Sequence, residues 1–366
     1  MTTEAAPATE HTADELVGRL FASTIGMMDV MSVYVGDHLG LYRALHEGGA
    51  ATSKELAIRA GIDERYAREW LEQQAVTGIL DVDDVAAKPE DRRFTLPEAY
   101  AEPLLDRDSA YSIAPLARSV VACAKALPQL MTAFRTGGGV EWADYGSDMI
   151  EAQGDFNRPW LVGSFGTQIL PSIPAIDERL RADPPARVAD VACGVGWASI
   201  AIARAYPKVR IDAFDLDASS IELARENARA AGVDDRVTFR KLDVGKAEAA
   251  EYDVAIIIEA VHDMTQPVGV LASIRRMLRP GGSLLIADEK TADTFAAPGD
   301  DVERTYYGFS VFTCLPAAMT ERPTAATGTV MRADTMRRFA EEAGFANVER
   351  LDESTLDMLR FYRLTQ

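Results

Sequence analysis

The sequence predicts an α/β protein: a mostly parallel sheet of seven strands, covered by helices on both faces and closed by an antiparallel strand, behind a mainly helical amino-terminal region. Three observations carry that expectation. From Arg187 onward, apolar strand-like runs alternate with helix-like runs, the order that builds a parallel sheet with helices on its two faces. The strand residues Val188, Ala189 and Val191 run through a small-residue turn, Ala192, Gly194 and Gly196, straight into an apolar helix; a turn of that kind lets a ligand approach the backbone. The first four strands each end on an acidic residue, Asp190, Asp215, Asp243 and Glu259, at the edge where open parallel sheets bind ligands.

With 366 residues and 48% hydrophobic content, the chain has material for about two domains. Its formal net charge of -19 argues against nucleic acid as the main partner, because phosphate binding needs clustered Lys and Arg. Cys123, Cys193 and Cys314 stand far apart without paired metal spacing, which suits a reducing cytoplasm and predicts no metal site. Met1 to Asp14 has no basic stretch leading into an apolar core, so no secretion signal is expected. Uninterrupted apolar runs stay too short to predict a membrane span. A cytoplasmic protein is the expectation.

Residues 1–12 read as a loose tail and residues 13–105 as the first domain. From Asp14 to Glu47, apolar residues including Leu16, Leu20, Ile25, Met28 and Met31 recur at helical spacing, interrupted at Gly36 and Gly40; two helices are expected, with the stripe read as core rather than as a subunit interface. Thr52 or Ser53 then caps a helix to Ala60, Asp63 caps a second from Glu64 to Thr77, and Ile79–Val82 with Arg93–Leu96 read as a hairpin. Helix, turn, helix and hairpin make a winged-helix pattern. The second helix carries Arg65 and Arg68 but also Glu64, Glu69 and Glu72, so packing or dimerisation is favoured over reading DNA.

Residues 106–182 read as a helical bridge, with a break near Pro128 and a loop at Gly137-Gly-Gly139. Its aromatics, Trp142, Tyr145, Phe156, Trp160 and Phe165, are either core or the lining of a pocket for a flat substrate. Asn157 and Arg158 face the sheet edge only if this bridge folds over it. Residues 183–366 supply the strands, near 188–191, 209–214, 237–242, 252–258, 283–287, 346–351 and 358–364, the last two paired antiparallel.

The strand ends define the chemistry. Asp215, 25 residues after Asp190, suits a carboxylate that accepts both hydroxyl protons of a ribose. A dinucleotide fingerprint would need a third glycine where Ser199 stands, so that cofactor is disfavoured. Asp243 can accept from an adenine amino group, and Val244 can offer its N–H to the ring.

Asp190-Val-Ala-Cys-Gly-Val-Gly196, Phe214-Asp-Leu-Asp217, Leu242-Asp243 and Leu278-Arg-Pro-Gly-Gly-Ser-Leu-Leu285 resemble the ordered motifs of class I S-adenosylmethionine-dependent methyltransferases, with their Rossmann-like sheet. The winged-helix region and bridge resemble small-molecule O-methyltransferases of bacterial secondary metabolism and plant phenolic methylation. Val261-His-Asp-Met-Thr-Gln-Pro267, Asp288-Glu-Lys290, Tyr307-Gly-Phe-Ser310 and Ala326-Thr-Gly-Thr-Val-Met-Arg332 are similar to an actinobacterial subfamily of these enzymes. The resemblance implies S-adenosylmethionine as methyl donor, S-adenosylhomocysteine as product, no metal, and a homodimer formed through the amino-terminal domain. It places Gly194 and Gly196 against the methionine part, with Ala192 replacing the commoner first glycine, Asp215 on the ribose, Leu216 beside adenine, Asp243 and Val244 at the adenine edge, and Glu259 near the methionyl end.

His262 would act as general base, as a histidine followed by aspartate does in the phenolic enzymes, although Met264 replaces their tryptophan. Asp288 or Glu289 would orient its ring. A loop-packing histidine is the alternative. Phe156, Trp160, Tyr307 and Phe312 are the expected acceptor-pocket residues, pointing to an aromatic or conjugated hydroxyl, with transfer to N or C as variants. Two further functions stay open: a winged-helix regulator that uses the sheet domain as ligand sensor, and an S-adenosylmethionine-binding enzyme that rearranges its substrate without methylating it.

Overall fold

The computed structural model describes residues 11–246, 251–351 and 358–366. All but the last two residues of the expected tail lie outside that range. The chain divides into two units, residues 1–120 and 121–366.

In the first unit, α1 (Ala13–His38) opens on a capping box between Thr12 and Glu15 and is followed by α2 (Leu41–Gly48). The winged helix comprises α3 (Ser53–Ala60), α4 (Glu64–Val76), β1 (Asp81–Val82), β2 (Phe94–Thr95) and α5 (Glu98–Leu105). Thr52 and Asp63 are the caps of α3 and α4. Tyr42, Leu45, Leu56, Trp70, Leu71 and Phe94 form its core. The apolar stripe of α1 departs from its expected place in that core: Leu16, Leu20, Ile25 and Met28 are about half exposed, and Phe21 is 67% exposed. The reason is that α2 to α4 and the hairpin already close around Tyr42 and Trp70. The carboxyl-terminal half of α1 reaches them, through Ser32, whose carbonyl accepts from Trp70 Nε1 at 3.0 Å, and at Gly36, where a Cβ would stand 2.5 Å from the Trp70 ring. Against the membrane expectation, α1 is long and apolar enough to cross a bilayer by length and composition. On α4, Arg65 pairs with Glu69 and Arg68 with Glu64, so both arginines are neutralised on their own helix.

Helix α6 (Ala114–Thr136) is continuous, contrary to the expected break. Pro128 costs it one backbone hydrogen bond, while Ala122, Ala126, Leu130 and Ala133 bury one continuous stripe on either side. α7 (Gly146–Trp160) widens after Pro159 into a π-helical stretch, Leu161–Ile169, and α8 (Pro174–Arg181) ends the bridge.

The sheet contains β3 (Arg187–Val191), β4 (Arg210–Asp215), β5 (Val237–Lys241), β6 (Tyr252–Ile258), β7 (Leu278–Glu289), β8 (Asn347–Leu351) and β9 (Leu359–Thr365). They lie in the order β5-β4-β3-β6-β7-β9-β8. The first five are parallel, and β9 runs antiparallel between β7 and β8. The intervening helices are α9 (Trp197–Ala205), α10 (Ala218–Ala231), α11 (Pro267–Met277), α12 (Asp301–Phe309), α13 (Leu315–Ala318) and α14 (Ala333–Glu342).

Period-2 alternation divides the strands between two cores. Val188, Ile211 and Ile256 join α9 and α10 on one face, while Ala189, Val191 and Ile257 join α11 and α14 on the other. Strand order reverses beside β3, which places a crevice at the carboxyl ends of β3 and β6.

Candidate active site

At the end of β3 the backbone turns through Ala192 (φ 58°), Gly194 (φ 50°) and Gly196 (φ 87°). Gly196 is dictated twice over. Its φ lies in the left-handed region, and a Cβ there would stand 2.8 Å from the Phe239 ring and 3.1 Å from Ala224. Asp190 is 2% exposed and accepts from the Ser199 hydroxyl at 2.6 Å. The residue in the place of a third fingerprint glycine is therefore the partner of a buried acid. Burial pushes the Asp190 carboxyl up to about 7, the Ser199 hydrogen bond working against that rise and the Asp215 charge adding to it.

Asp215 shapes the same turn from β4. Its Oδ2 accepts from Gly194 N–H and its Oδ1 from Asp217 N–H, both at 2.8 Å. Burial holds its carboxyl above the usual range, opposed by those N–H groups. Leu216, 66% exposed, stands beside it as an open apolar surface. Asp243 accepts from Gly245 N–H and pairs with Lys246, each at 2.9 Å, and Val244 is buried.

Across the crevice, Glu259 at the end of β6 also takes a left-handed backbone (φ 48°). Its N–H donates to Ala287 O at 2.7 Å, and its Oε2 accepts from Gln153 and Asn157 of α7, both at 2.9 Å. The condition set on Asn157 is thus met: α7 lies over the sheet edge. Gly154 permits that approach, since a Cβ there would fall 2.3 Å from Val195 Cγ2. Arg158 stacks on the Trp197 ring, 4.3 Å from its centroid, which accounts for the tryptophan directly after the turn. Burial raises the Glu259 carboxyl against the Asn157 hydrogen bond and the His262 charge.

His262 is 2% exposed. Its Nδ1 lies 2.8 Å from Asp288 Oδ1 and 2.9 Å from Glu289 Oε2, and its Nε2 lies 3.1 Å from Asp263 Oδ1. Burial disfavours the imidazolium, but Asp263, Glu289 and Asp288 outweigh it and hold the pKa well above that of an ordinary histidine. Burial also works to raise Asp288, where the His262 charge and hydrogen bond prevail and lower it. Glu289 is raised well above the usual range by burial and the neighbouring Asp288, despite His262. The ionised Asp288 is therefore the oxygen that accepts Nδ1–H, leaving Nε2 beside Asp263.

The four expected pocket aromatics do not form one cluster. Trp160 donates to Asn157 Oδ1 at 2.9 Å and meets Phe165 and Phe361 edge-on, so it packs on the domain core as well as bordering the site. Phe156 is half-buried on α7. Tyr307 joins Phe295 and the Arg332–Glu303 pair, whereas Phe312 is 40% exposed and its carbonyl accepts from the Tyr145 hydroxyl at 2.7 Å.

Gln153 and Cys314 were not foreseen. Cys314 Sγ shares a cluster with His262 and Asp263. Neither residue has a sequence spacing that points to the site, because each is brought there by a helix from a distant part of the chain.

Residues 182–348 match the family described as Methyltransferase domain, and residues 26–106 match the Rv2258c-like winged HTH domain. 27-O-demethylrifamycin SV methyltransferase of Amycolatopsis mediterranei is 32% identical over 120 residues, covering 32% of this chain and 44% of that enzyme. Methyltransferase GfsG of Streptomyces halstedii is 34% identical over 113 residues, covering 30% and 40%. The chain thus spans 40 to 44% of the length of the first curated relatives it matches. The structure of PigF with SAH superposes with a TM-score of 0.69 at 20% identity, covering 97% of this chain and 100% of that one. The mitomycin 7-O-methyltransferase MmcR gives 0.67 at 21%, covering 97% and 100%. At these identities the structural likeness is one of fold.

Proposed function

We propose that this chain, a class I methyltransferase domain behind a winged-helix domain, transfers a methyl group from S-adenosylmethionine to a hydroxyl of a small aromatic or conjugated molecule. The observation that carries the reading is His262, buried at the sheet's carboxyl edge with Nδ1 held 2.8 Å from Asp288 and Nε2 facing away from it. The residues present fit the donor. Gly194 has open space where a Cβ would be, Ala192 and Glu259 both carry left-handed backbone beside the crevice, and strain of that kind concentrates at ligand sites.

Asp190, Ala192, Gly194 and Gly196 would cradle the methionine part with Glu259, Asp215 would accept from the ribose hydroxyls, Leu216 would cover adenine, and Asp243 and Val244 would meet its edge. Bound there, S-adenosylmethionine supplies an electrophilic methyl on sulfur and leaves as S-adenosylhomocysteine. His262 Nε2, in the neutral form of the ring, would take the acceptor's hydroxyl proton as that oxygen is methylated. Asp288 stabilises the imidazolium that results. Of the four expected aromatics, Trp160, which donates to the Asn157 that also bonds Glu259, would be the one nearest the acceptor.

The test is a screen of phenols and other hydroxyl-bearing metabolites with methyl-labelled donor. A labelled product one methylene heavier than its acceptor supports the reading; turnover without a mass gain would turn it into a rearrangement.

The exposed face of α1 is proposed as the seam of a homodimer in the cytoplasm. Phe21→Arg should convert a dimer to a monomer in sedimentation equilibrium, and an unchanged mass would remove α1 from the seam.

A further inference from the structure

Three donor groups of different chemistry meet beside His262. The imidazole, the carboxylate of Asp263 and the thiol of Cys314 each offer a donor atom within 4.8 Å of the others, with Nε2 the ring nitrogen nearest Asp263. Asp263 Oδ1 is buried and has no hydrogen-bond partner among the described residues, although it stands 3.1 Å from Nε2. With Nδ1–H given to Asp288 at 2.8 Å, the gap between Nε2 and that Asp263 oxygen is filled by a proton in the imidazolium, and a metal ion can take the place of that proton. The thiol as third donor tips the choice of ion. A nitrogen, sulfur and oxygen set suits Zn2+, which binds such donors at about 2.0 to 2.3 Å and keeps a fourth position open.

The other side of the ring completes the pattern. A metal-bound histidine almost always donates its second N–H to a carboxylate, which fixes the tautomer and strengthens the ligand. Asp288 is already in that place and buried, as is His262 itself. The alternative cluster of His262, Asp288 and Glu289 is less suited, because Nδ1 there is engaged with Asp288.

We propose that His262 Nε2, Asp263 and Cys314 form an inhibitory site for Zn2+ or a similar borderline-soft divalent ion. The ion occupies the lone pair that would accept the hydroxyl proton, so its binding switches methyl transfer off and its removal restores it. This regulation rests on His262 being the base of the proposed reaction; the ion site itself does not.

Co2+ titrated into the full-length protein, purified with chelator and then freed of it, is the direct test, because a cobalt–thiolate bond gives its own near-ultraviolet absorption. One equivalent should produce that band with tetrahedral visible absorption, and Zn2+ should bleach it. Cys314→Ser should remove the thiolate band and weaken binding on the order of a hundredfold, Asp288→Asn should weaken it on the order of tenfold, and Cys123→Ser should leave it intact. Absence of the band in the wild type overturns the site, as does a band that persists in Cys314→Ser. If the band forms and Zn2+ leaves methyl transfer unchanged, the inhibitory role fails and His262 is not the base. If the band is absent while His262→Ala abolishes transfer, the ion site alone fails.

Discussion

The two ends of the crevice are built in opposite ways. The end at β3 and β4 is made mainly of backbone: a left-handed turn, N–H groups directed at Asp215, and a buried acid paired with a hydroxyl nine positions along the chain. The end at β6 and β7 is made of side chains, with α7, the residues after β6, the end of β7 and the π-helical turn Ser310–Cys314 after α12 each contributing to the surroundings of Glu259 and His262. The first arrangement shapes a cradle from backbone and one buried acid; the second surrounds one titratable ring with acids. Binding of the donor and removal of the acceptor's proton should therefore be separable by mutation.

The largest effect is expected at the side-chain end. His262→Ala should slow methyl transfer by about 10²- to 10⁴-fold in single-turnover assays, while donor affinity by calorimetry stays within twofold. Transfer at the wild-type rate would remove the base from the mechanism.

At the backbone end, the raised carboxyl of Asp190 makes stability depend on pH. Folding lifts it to about 7 through burial, opposed by Ser199, so between roughly pH 4 and 7 the folded state holds more protons than the unfolded chain. Stability should fall as pH rises through that window, by about 4 kcal/mol for this group. Denaturant titrations of Asp190→Asn should lack that part of the slope; equal pH dependence in both proteins would contradict a buried, uncharged Asp190. Gly196→Ala should cost about 2 to 3 kcal/mol, through its φ of 87° and the Phe239 contact. An unchanged melting temperature would mean that the turn relaxes freely.

The same contrast explains what could be read in the sequence. The cradle was legible because its parts are contiguous: strand, turn and helix lie within Arg187 to Ala205, and period-2 alternation and glycine carry their meaning locally. His262 was legible only through its resemblance to a motif, with Asp288 and Glu289 as candidate partners. Cys314 and Gln153 were not, since their positions depend on where two helices pack. The amino-terminal stripe shows a different limit. Periodicity identifies an apolar face but does not say what covers it, and α1 leaves that face open because the winged-helix core closes without it. Pro128 marks a missing N–H; whether a helix breaks there depends on the burial on both sides of it, which a local signal does not contain.

Calorimetric titration of S-adenosylhomocysteine into the wild type, Asp215→Ala and His262→Ala tests the separation most directly. The account predicts binding to the wild type, a loss of on the order of tenfold to a hundredfold in Asp215→Ala from its charged hydrogen bonds, and wild-type affinity in His262→Ala. No binding to the wild type, or equal affinity in the wild type and Asp215→Ala, would contradict it.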